Sequence, residues 1–220
     1  MSELVSGGGH EWKEGVRAQR WLTVRDRIPR GEEPVRVLID DVIADRTASR
    51  VLDLGTGAGH LILALRREIP NLEAVGIDLS PPLLEEARLQ FAGQDDVSFV
   101  EHDLGDPLPG DLGDFDLIVS AWAIHHLPDE RKKTLFREIH DLLRPGGIFC
   151  NIDLVKLSTP ELQERALAVY AVYADDQPDP SDAPAPVHDQ LVWMREAGLT
   201  NVECYWMWRA GAVLAGEKPA

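Results

Sequence analysis

The chain has 220 residues, 44% of them hydrophobic, and a formal net charge of −16 at pH 7. This composition suits a single packed domain and excludes a disordered chain. Because such an acidic surface repels phosphate backbones, the charge argues against DNA or tRNA as the substrate.

The start of the chain has no apolar signal segment, and no apolar run reaches the ~20 residues of a membrane span. We therefore expect a cytoplasmic protein with neither nucleic acid nor membrane as a partner. The two cysteines, Cys150 and Cys204, stand in apolar, strand-like runs. We expect them to be free thiols rather than disulfide partners or metal ligands, and we predict no metal site.

Residues 1–33 form a polar segment, rich in glycine and arginine, that also carries Trp12 and Trp21. We interpret this segment as a candidate cap over an active site in the domain formed by residues 34–220. Its arginines fit either a salt-bridged, solvated helix face or a surface that closes over an acidic small molecule. These arginines are Arg17, Arg20, Arg25, Arg27 and Arg30. A helix is predicted to begin at Pro34.

The most informative part of the chain is residues 51–60, VLDLGTGAGH. An apolar strand leads into a loop with Gly55, Gly57 and Gly59, and an apolar, helix-like run follows at once. Strand, glycine turn and helix together open a nucleotide-binding βαβ unit. A structural glycine turn that carries no ligand is the alternative.

The spacing within this loop favours one class of nucleotide. The glycines follow the pattern G-x-G-x-G, whereas the dinucleotide fingerprint is G-x-G-x-x-G. In addition, Asp53 precedes the loop, where a carboxylate would repel a pyrophosphate and attract an ammonium or a sulfonium group. The loop therefore favours S-adenosylmethionine (SAM) over NAD as the cofactor.

The remaining chain alternates predicted strands with predicted helices. Ser80 and Pro81 are expected to begin one of these helices, with Ser80 as its N-cap. The alternation predicts a parallel sheet with helices on both faces, and the last two strands are expected to pair as an antiparallel hairpin at the sheet edge. The predicted strands are 50–54, 73–77, 97–101, 115–120, 148–152, 202–208 and 211–214.

In open parallel sheets, ligands bind beyond the carboxyl ends of the strands. Asp78 ends the second strand 19 residues after Gly59, where an acidic residue is expected to hold ribose hydroxyls; a helix cap is the alternative. Asp103 follows the third strand and is interpreted as an acceptor for the adenine amino group, with Leu104 packing against the ring. An ordinary loop-turn aspartate is the alternative for Asp103.

Two adjacent histidines, His125 and His126, follow the fourth strand. Because methyl transfer to a hydroxyl or a carbon acid is aided by a base, either histidine is a candidate catalytic residue. The alternative is a histidine that hydrogen-bonds backbone and braces the cofactor loop. The side chains of adjacent residues on a turn point in different directions, so we expect one imidazole to point inward and the other away.

Five motifs stand in the order and spacing of class I SAM-dependent methyltransferases: VLDLGTGAGH, GIDLS, VEHDLGDPLP, FDLIVSAWAIHHL and LLRPGGIF. The chain resembles that family over residues 50–214, and the HHL run resembles its small-molecule branch. The resemblance implies a Rossmann-like α/β fold with a seven-stranded, mostly parallel sheet and a reversed final strand. The Asn/Asp-Pro-Pro-aromatic stretch of enzymes that N-methylate nucleic acids or protein glutamine is missing.

The resemblance also implies where the cofactor lies: its methionine end against Asp53, Gly55 and Gly57, and its methyl group near 120–122. The full set of expected cofactor-binding residues is Asp53, Gly55, Thr56, Gly57, Asp78, Leu79, Asp103, Leu104, Ser120, Ala121 and Trp122. A substrate lid is expected at about 153–187. There Tyr170 and Tyr173 either line an acceptor pocket or belong to the core.

The sequence therefore predicts a SAM-dependent methyltransferase that acts on oxygen or nitrogen of a small organic acceptor. A SAM-fold enzyme that catalyses a different reaction, such as cyclisation or decarboxylation, is the main alternative. A non-catalytic SAM-fold subunit and an NAD-dependent oxidoreductase are weaker ones. The sequence leaves open the acceptor and the oligomeric state, with a homodimer among the possibilities.

Overall fold

The computed structural model describes residues 12–13, 32–44, 47–174, 179 and 181–220, and for residues 170–174 it describes the backbone alone. This part of the chain contains one sheet of seven strands in the order β3-β2-β1-β4-β5-β7-β6. The strands are β1 Arg50–Leu54, β2 Glu73–Asp78, β3 Val97–Glu101, β4 Phe115–Ala121, β5 Leu143–Leu154, β6 Thr200–Trp208 and β7 Gly211–Glu217.

Strands β1 to β5 pair in parallel, and β7 pairs antiparallel with both β5 and β6. Four of the five residues of β1 and five of the six residues of β2 are buried. Such nearly continuous burial is typical of parallel strands that are covered on both faces. The predicted fold class, including the C-terminal hairpin, is confirmed.

Helices cover both faces of the sheet and enclose two hydrophobic cores. One core packs Phe136 and Met194 against Leu52, and the other packs Leu38 and Ile62 against the opposite face. The helices are α1 Glu33–Val37, which continues into a π-helical turn at Leu38–Val42, then α2 His60–Glu68, α3 Pro81–Gln90, α4 Asp129–Leu142, α5 Pro160–Ala174 and α6 Val187–Glu196. Both faces of the sheet are covered because the connections between its parallel strands contain helices, and these helices pack back onto the sheet.

One strand boundary and one side-chain hydrogen bond differ from the sequence-based expectations. The fifth strand is predicted over 148–152, but β5 begins at Leu143. Its register with β4 shifts between Phe115 and Leu117, and Gly146 takes a φ of 78°. Ser80 does occupy the N-cap position of α3, but its buried hydroxyl has no hydrogen-bond partner among the described residues. The carboxylate of Asp78 accepts the Ser80 N–H instead.

Within the described ranges, no helix is both long enough and apolar enough to cross a membrane. Cys150 is buried and Cys204 is half-buried, and both are free thiols. Apart from Trp12, Lys13, Glu32 and Glu33, the predicted cap at 1–33 lies outside the described residues, as do its five arginines and Trp21. The side chains of Tyr170 and Tyr173 also lie outside them.

Candidate active site

The glycine loop follows β1 and is held against the carboxyl end of β2. The N–H groups of Gly55 and Thr56 both donate to the carbonyl of Ile77, each at 2.9 Å. Gly55, Gly57 and Gly59 have φ values of 72°, 53° and 80°, which other residues rarely adopt. The predicted turn thus forms where strand β1 ends and helix α2 begins.

Asp53 lies beneath this loop and is only 1% exposed. One carboxylate oxygen, Oδ2, accepts a 2.7 Å hydrogen bond from the Thr56 hydroxyl, while Oδ1 has no partner among the described residues. Burial raises the pKa of Asp53 to about 7; the Thr56 hydrogen bond opposes this rise and the charge of Asp78 adds to it. A buried carboxylate oxygen without a partner is costly unless a ligand completes it.

Asp78 stands at the end of β2, as predicted, and is nearly buried. Its Oδ2 accepts the Gly57 N–H and its Oδ1 accepts the Ser80 N–H, both at 2.8 Å. Burial raises its pKa, while the backbone donors work against the rise. Asp78 thus braces the glycine loop, and each of its oxygens retains a lone pair for a further donor.

The third strand ends as predicted, but its acidic residue is more exposed than Asp78. Asp103 Oδ1 accepts the Gly105 N–H at 2.8 Å, as in an Asx turn. Leu104 is buried in a hydrophobic core, and its Cδ1 would lie 4.0 Å from a Cβ added at Gly55. Leu104 is therefore next to the glycine loop, and Leu79 is half-buried after Asp78.

The end of β4 supplies the next wall of the site. Ser120 is fully buried, and its hydroxyl donates to the Leu54 carbonyl at 2.8 Å, so this side chain joins β4 to β1. Ala121 and Trp122 are half-buried. Trp122 adopts a φ of 58°, which is unusual for a large side chain and typical of functional sites.

His125 and His126 lie on a short 3₁₀ turn after β4 and form a cluster with carboxylates from two other segments. His125 Nδ1 hydrogen-bonds Asp153 at the end of β5, and His125 Nε2 is 3.4 Å from Asp182 Oδ1. His126 Nδ1 is also 3.4 Å from Asp182 Oδ1 and is 3.0 Å from the Ser181 hydroxyl. The structure thus places both histidines against one carboxylate.

The expectation that the two imidazoles diverge is wrong. Their ring centroids are 4.0 Å apart, because Asp182 lies within reach of both. Burial opposes protonation of His125, but Asp153 and Asp182 outweigh it and raise its pKa to about 9. Burial and the charge of His125 lower the pKa of His126 to about 4. The two shifts have opposite directions: the carboxylates favour the protonated form of His125, and His125 in turn favours the neutral form of His126.

Three residues of this site are missing from the sequence-based prediction. Asp153 carried a usable signal, since it follows an apolar strand just as Asp78 does. Lys132 belongs to the site because its Nζ donates to the carbonyl of Ala183, the residue after Asp182. It lies on the apolar stripe of α4, three residues before Leu135 and four before Phe136, where the sequence pattern indicates core packing. Asp182 carried no usable signal, because it belongs to a segment with many aspartates.

The cofactor end and the histidine end of the site are in direct contact. A Cβ added at Gly55 would lie 2.2 Å from the Cβ of Ala123, two residues before His125. A Cβ added at Gly57 would meet only Leu83, at 3.8 Å, so the loop is open there. Together with the unpartnered Asp53 oxygen, this opening fits a cofactor that carries a cationic amino-acid end.

Comparisons with known proteins agree with this geometry. Residues 51–147 match the family model described as a methyltransferase domain. A demethylmenaquinone methyltransferase of Roseiflexus castenholzii is 30% identical over 72% of this chain and 71% of its own length. One of Thermus thermophilus is 35% identical over 60% of this chain and 58% of its own length. The chain spans only about half the length of several curated relatives.

The fold also matches solved structures. Human N-acetylserotonin methyltransferase, solved in complex with SAM, superposes with a TM-score of 0.71 at 19% identity; the match covers 100% of this chain and 61% of that one. Fold and strand-end residues together define a SAM-dependent methyltransferase. The chain belongs to the class I SAM-dependent methyltransferases, whose cofactor is SAM. The expected family and cofactor are confirmed.

Proposed function

We propose that this protein transfers a methyl group from SAM to an oxygen or nitrogen of a small organic acceptor. The observation that carries the proposal is the contact between the glycine loop and the segment that bears His125 and His126. This contact brings a cofactor pocket and a polar cluster together at one edge of the sheet. The relatives named for demethylmenaquinone support a small organic acceptor.

We assign the cofactor-binding roles from the position of each residue at the carboxyl end of a strand. Asp53 Oδ1 receives the ammonium group of the methionine end, and Asp78 accepts hydrogen bonds from the ribose hydroxyls with its remaining lone pairs. Asp103 and Leu104 hold the adenine, Leu79 borders the ribose, and Thr56 keeps the Asp53 carboxylate in place. From β4, the backbone of Ser120 and the residues Ala121 and Trp122 flank the methyl group.

When bound, SAM supplies a methyl group on a good leaving group, so the protein mainly aligns the acceptor. An acceptor lone pair would form the new bond to the methyl carbon, and the electron pair of the carbon–sulfur bond would stay on sulfur, so the residues around 120–122 need only hold the two partners in line. The acceptor proton passes to the imidazole of His126, whose lowered pKa keeps it in the neutral form, while His125 and Asp182 lie beside it. These two histidines are the proposed catalytic residues.

The segment around 181–186 and the N-terminal segment are proposed to close the acceptor side. Trp12 Nε1 donates to Asp179 Oδ2 at 2.9 Å, and the Trp12 ring centroid is 5.6 Å from that of His126. Ser181 donates to Asp179 Oδ1 at 2.6 Å. These contacts support a cap at 1–33 and a lid within about 153–187.

The test is an assay of the purified chain with SAM and a panel of phenols, hydroquinones and amines. We expect S-adenosylhomocysteine and methylated acceptor in equal amounts for at least one compound. Conversion of a compound without formation of S-adenosylhomocysteine would indicate a different reaction of the SAM-fold class, such as cyclisation or decarboxylation. Binding of NADH with no response to SAM would contradict the proposal altogether.

Asp78→Ala is expected to weaken SAM binding more than about tenfold, because charge-assisted hydrogen bonds to the ribose and the brace on Gly57 are lost together. Isothermal titration calorimetry measures this change. Asp95→Ala, an exposed aspartate beyond α3, serves as the control and should keep wild-type affinity. Unchanged affinity in Asp78→Ala would remove Asp78 from the site.

The raised pKa of Asp53, about 7, predicts a pH dependence of SAM binding. Only the carboxylate attracts an ammonium group, so affinity should rise on the order of tenfold between about pH 5.5 and 7.5, while an α-amino group stays mostly protonated. Calorimetry across this range should show the slope in the wild type and not in Asp53→Asn. A slope of equal size in Asp53→Asn would assign the effect to another group.

The raised pKa of Asp53 also predicts how the stability of the cofactor-free protein changes with pH. Between about pH 4 and 7 the folded state binds more protons at Asp53 than the unfolded state does. The free energy of unfolding should therefore fall as the pH rises through this window and level off above it. Denaturant unfolding of wild type and Asp53→Asn separates this contribution from those of other groups.

A further inference from the structure

We propose that His125, His126 and Asp182 form a binding site for one divalent transition-metal ion of the Zn²⁺ type. Each residue offers one ligand atom, and these atoms lie within 4.8 Å of one another. Two neutral imidazoles and one carboxylate are a ligand set that such ions use in enzymes, with further positions left for other ligands. This inference revises the sequence-based expectation that no metal is bound.

The spacing of the ligand atoms fits that kind of ion. Asp182 Oδ1 is 3.4 Å from His125 Nε2 and 3.4 Å from His126 Nδ1. Bonds of 2.0–2.1 Å in a tetrahedral site give ligand atoms about 3.3–3.4 Å apart, whereas an octahedral site of the same bond length gives about 2.9 Å. Two of the three separations between ligand atoms therefore match a tetrahedral site, and the third, between the two histidine nitrogens, is at most 4.8 Å.

The surroundings of His125 resemble the second layer of an enzyme metal centre. Asp153 accepts the hydrogen bond of His125 Nδ1 and is itself held by the Leu154 N–H at 2.9 Å. Such a carboxylate fixes the tautomer of a metal-binding histidine and directs the lone pair of its other nitrogen to the ion. Here that nitrogen is Nε2, which faces Asp182.

The second histidine must change one contact. His126 Nδ1 is 3.0 Å from the Ser181 hydroxyl, which competes with an ion for the same nitrogen. The one hydroxyl hydrogen of Ser181 is donated to Asp179 Oδ1 at 2.6 Å, so the Ser181 oxygen accepts from His126 Nδ1, and an ion can bind this nitrogen only once its proton has left. Metal binding would displace protons from the histidines, as it does at any imidazole site.

The position of Asp182 indicates what the ion would do. Its side chain is 26% exposed, so the cluster is open on that side. With the ion bound, the two histidines would be its ligands rather than proton acceptors, and an acceptor hydroxyl on the ion would release its proton to solvent because its pKa is lowered. This role rests on the proposed function, whereas binding of the ion itself does not.

The test measures metal binding directly. The full chain is treated with EDTA, dialysed, and titrated with ZnCl₂ by calorimetry in the absence of SAM. We expect one ion per chain with a Kd in the micromolar range or tighter. With Co²⁺ in place of Zn²⁺, we expect the intense visible absorption of a tetrahedral site.

Variants assign the site. Asp182→Asn and His126→Gln should each weaken Zn²⁺ binding at least about tenfold, and Asp153→Asn should weaken it by about tenfold to a hundredfold. His140→Gln is the matched control, since His140 also lies beside a carboxylate, with Nδ1 3.2 Å from Asp141. Circular dichroism verifies that each variant is folded.

Two results would overturn the proposal. One is the absence of stoichiometric Zn²⁺ binding by the wild type; the other is binding that Asp182→Asn and His126→Gln leave unchanged. Neither result depends on SAM. A failure of the metal site is therefore distinguishable from a failure of the proposed methyl transfer, which is read from S-adenosylhomocysteine.

Discussion

Gly55→Ala is expected to destabilise the fold by about 3 kcal/mol and to weaken SAM binding more than about a hundredfold. The added Cβ would lie 2.2 Å from the Cβ of Ala123, a separation that real side chains do not tolerate. The φ of 72° adds a left-handed penalty of about 1–2 kcal/mol. Overpacking against Ala123 adds about 1–3 kcal/mol. Relief of this strain requires the loop to leave its position.

Substitutions at two further glycines separate the backbone penalty from the clash with Ala123. Gly93 has a φ of 82° with nothing within 4 Å of an added Cβ, so Gly93→Ala should lose only about 1 kcal/mol and keep its SAM affinity. Gly57→Ala has open space and the same backbone penalty, but its methyl group points into the loop that receives the cofactor. It should therefore impair affinity more than stability. Denaturant unfolding and calorimetry on all three variants measure both quantities.

If Gly55→Ala behaves like Gly93→Ala, the contact between the glycine loop and Ala123 does not constrain the site. That outcome would remove the observation on which the proposed function rests. It would leave the family assignment intact, because the assignment depends on the whole pattern of motifs.

The sequence predicts the residues around the glycine loop better than it predicts those around His125 and His126. Asp53, Asp78 and the glycines could be placed because each lies at the end of an apolar strand, and parallel strands bring their ends to one edge. The same reasoning applied to Asp153 would have found it. The antiparallel pairing of the last two strands was also predictable, since only two residues connect them, whereas the order of the strands in the sheet was not predicted.

The contacts of Asp182 with His125 and His126 could not be predicted, because Asp182 is distant in sequence and comes from a segment without periodicity. Asp182 is one of several aspartates between α5 and α6, and nothing local marks it as the one that reaches His125. Ser120 shows a related limit. Its position at the end of β4 could be predicted, but the sequence does not show that its hydroxyl donates to the carbonyl of Leu54 on β1. The partners of Asp182 and Ser120 are determined by contacts between distant parts of the chain, which a local sequence pattern does not show.

The second large effect concerns Lys132, a lysine that is only 1% exposed. Its Nζ donates to the carbonyls of Leu127 and Ala183, at 2.6 and 2.5 Å, and lies 3.3 Å from Asp129 Oδ1. Ala183 also donates its N–H to the carbonyl of His125. Lys132 therefore holds the segment that carries Asp182 against the turn that carries the histidines.

Lys132→Met is expected to lower the free energy of unfolding by about 2–4 kcal/mol, because two buried carbonyls lose their donor. Methionine keeps the apolar volume, so the loss reports the missing ammonium group rather than a cavity. Chemical denaturation measures the stability change, and Zn²⁺ titration of the folded variant measures how well Asp182 is still positioned. Affinity for Zn²⁺ should fall at least about tenfold.

The neighbouring lysine provides the matched control. Lys133 lies on the same helix and pairs with Glu130 at 2.6 Å, but its side chain is 29% exposed. An exposed ion pair contributes little, so Lys133→Met should leave both the unfolding midpoint and the Zn²⁺ affinity near those of the wild type. Equal behaviour of the two variants would mean that Lys132 does not hold the two segments together. The position of Asp182 would then depend on other contacts, such as the backbone hydrogen bonds from Ala183 to His125 and from Asp182 to Asp179.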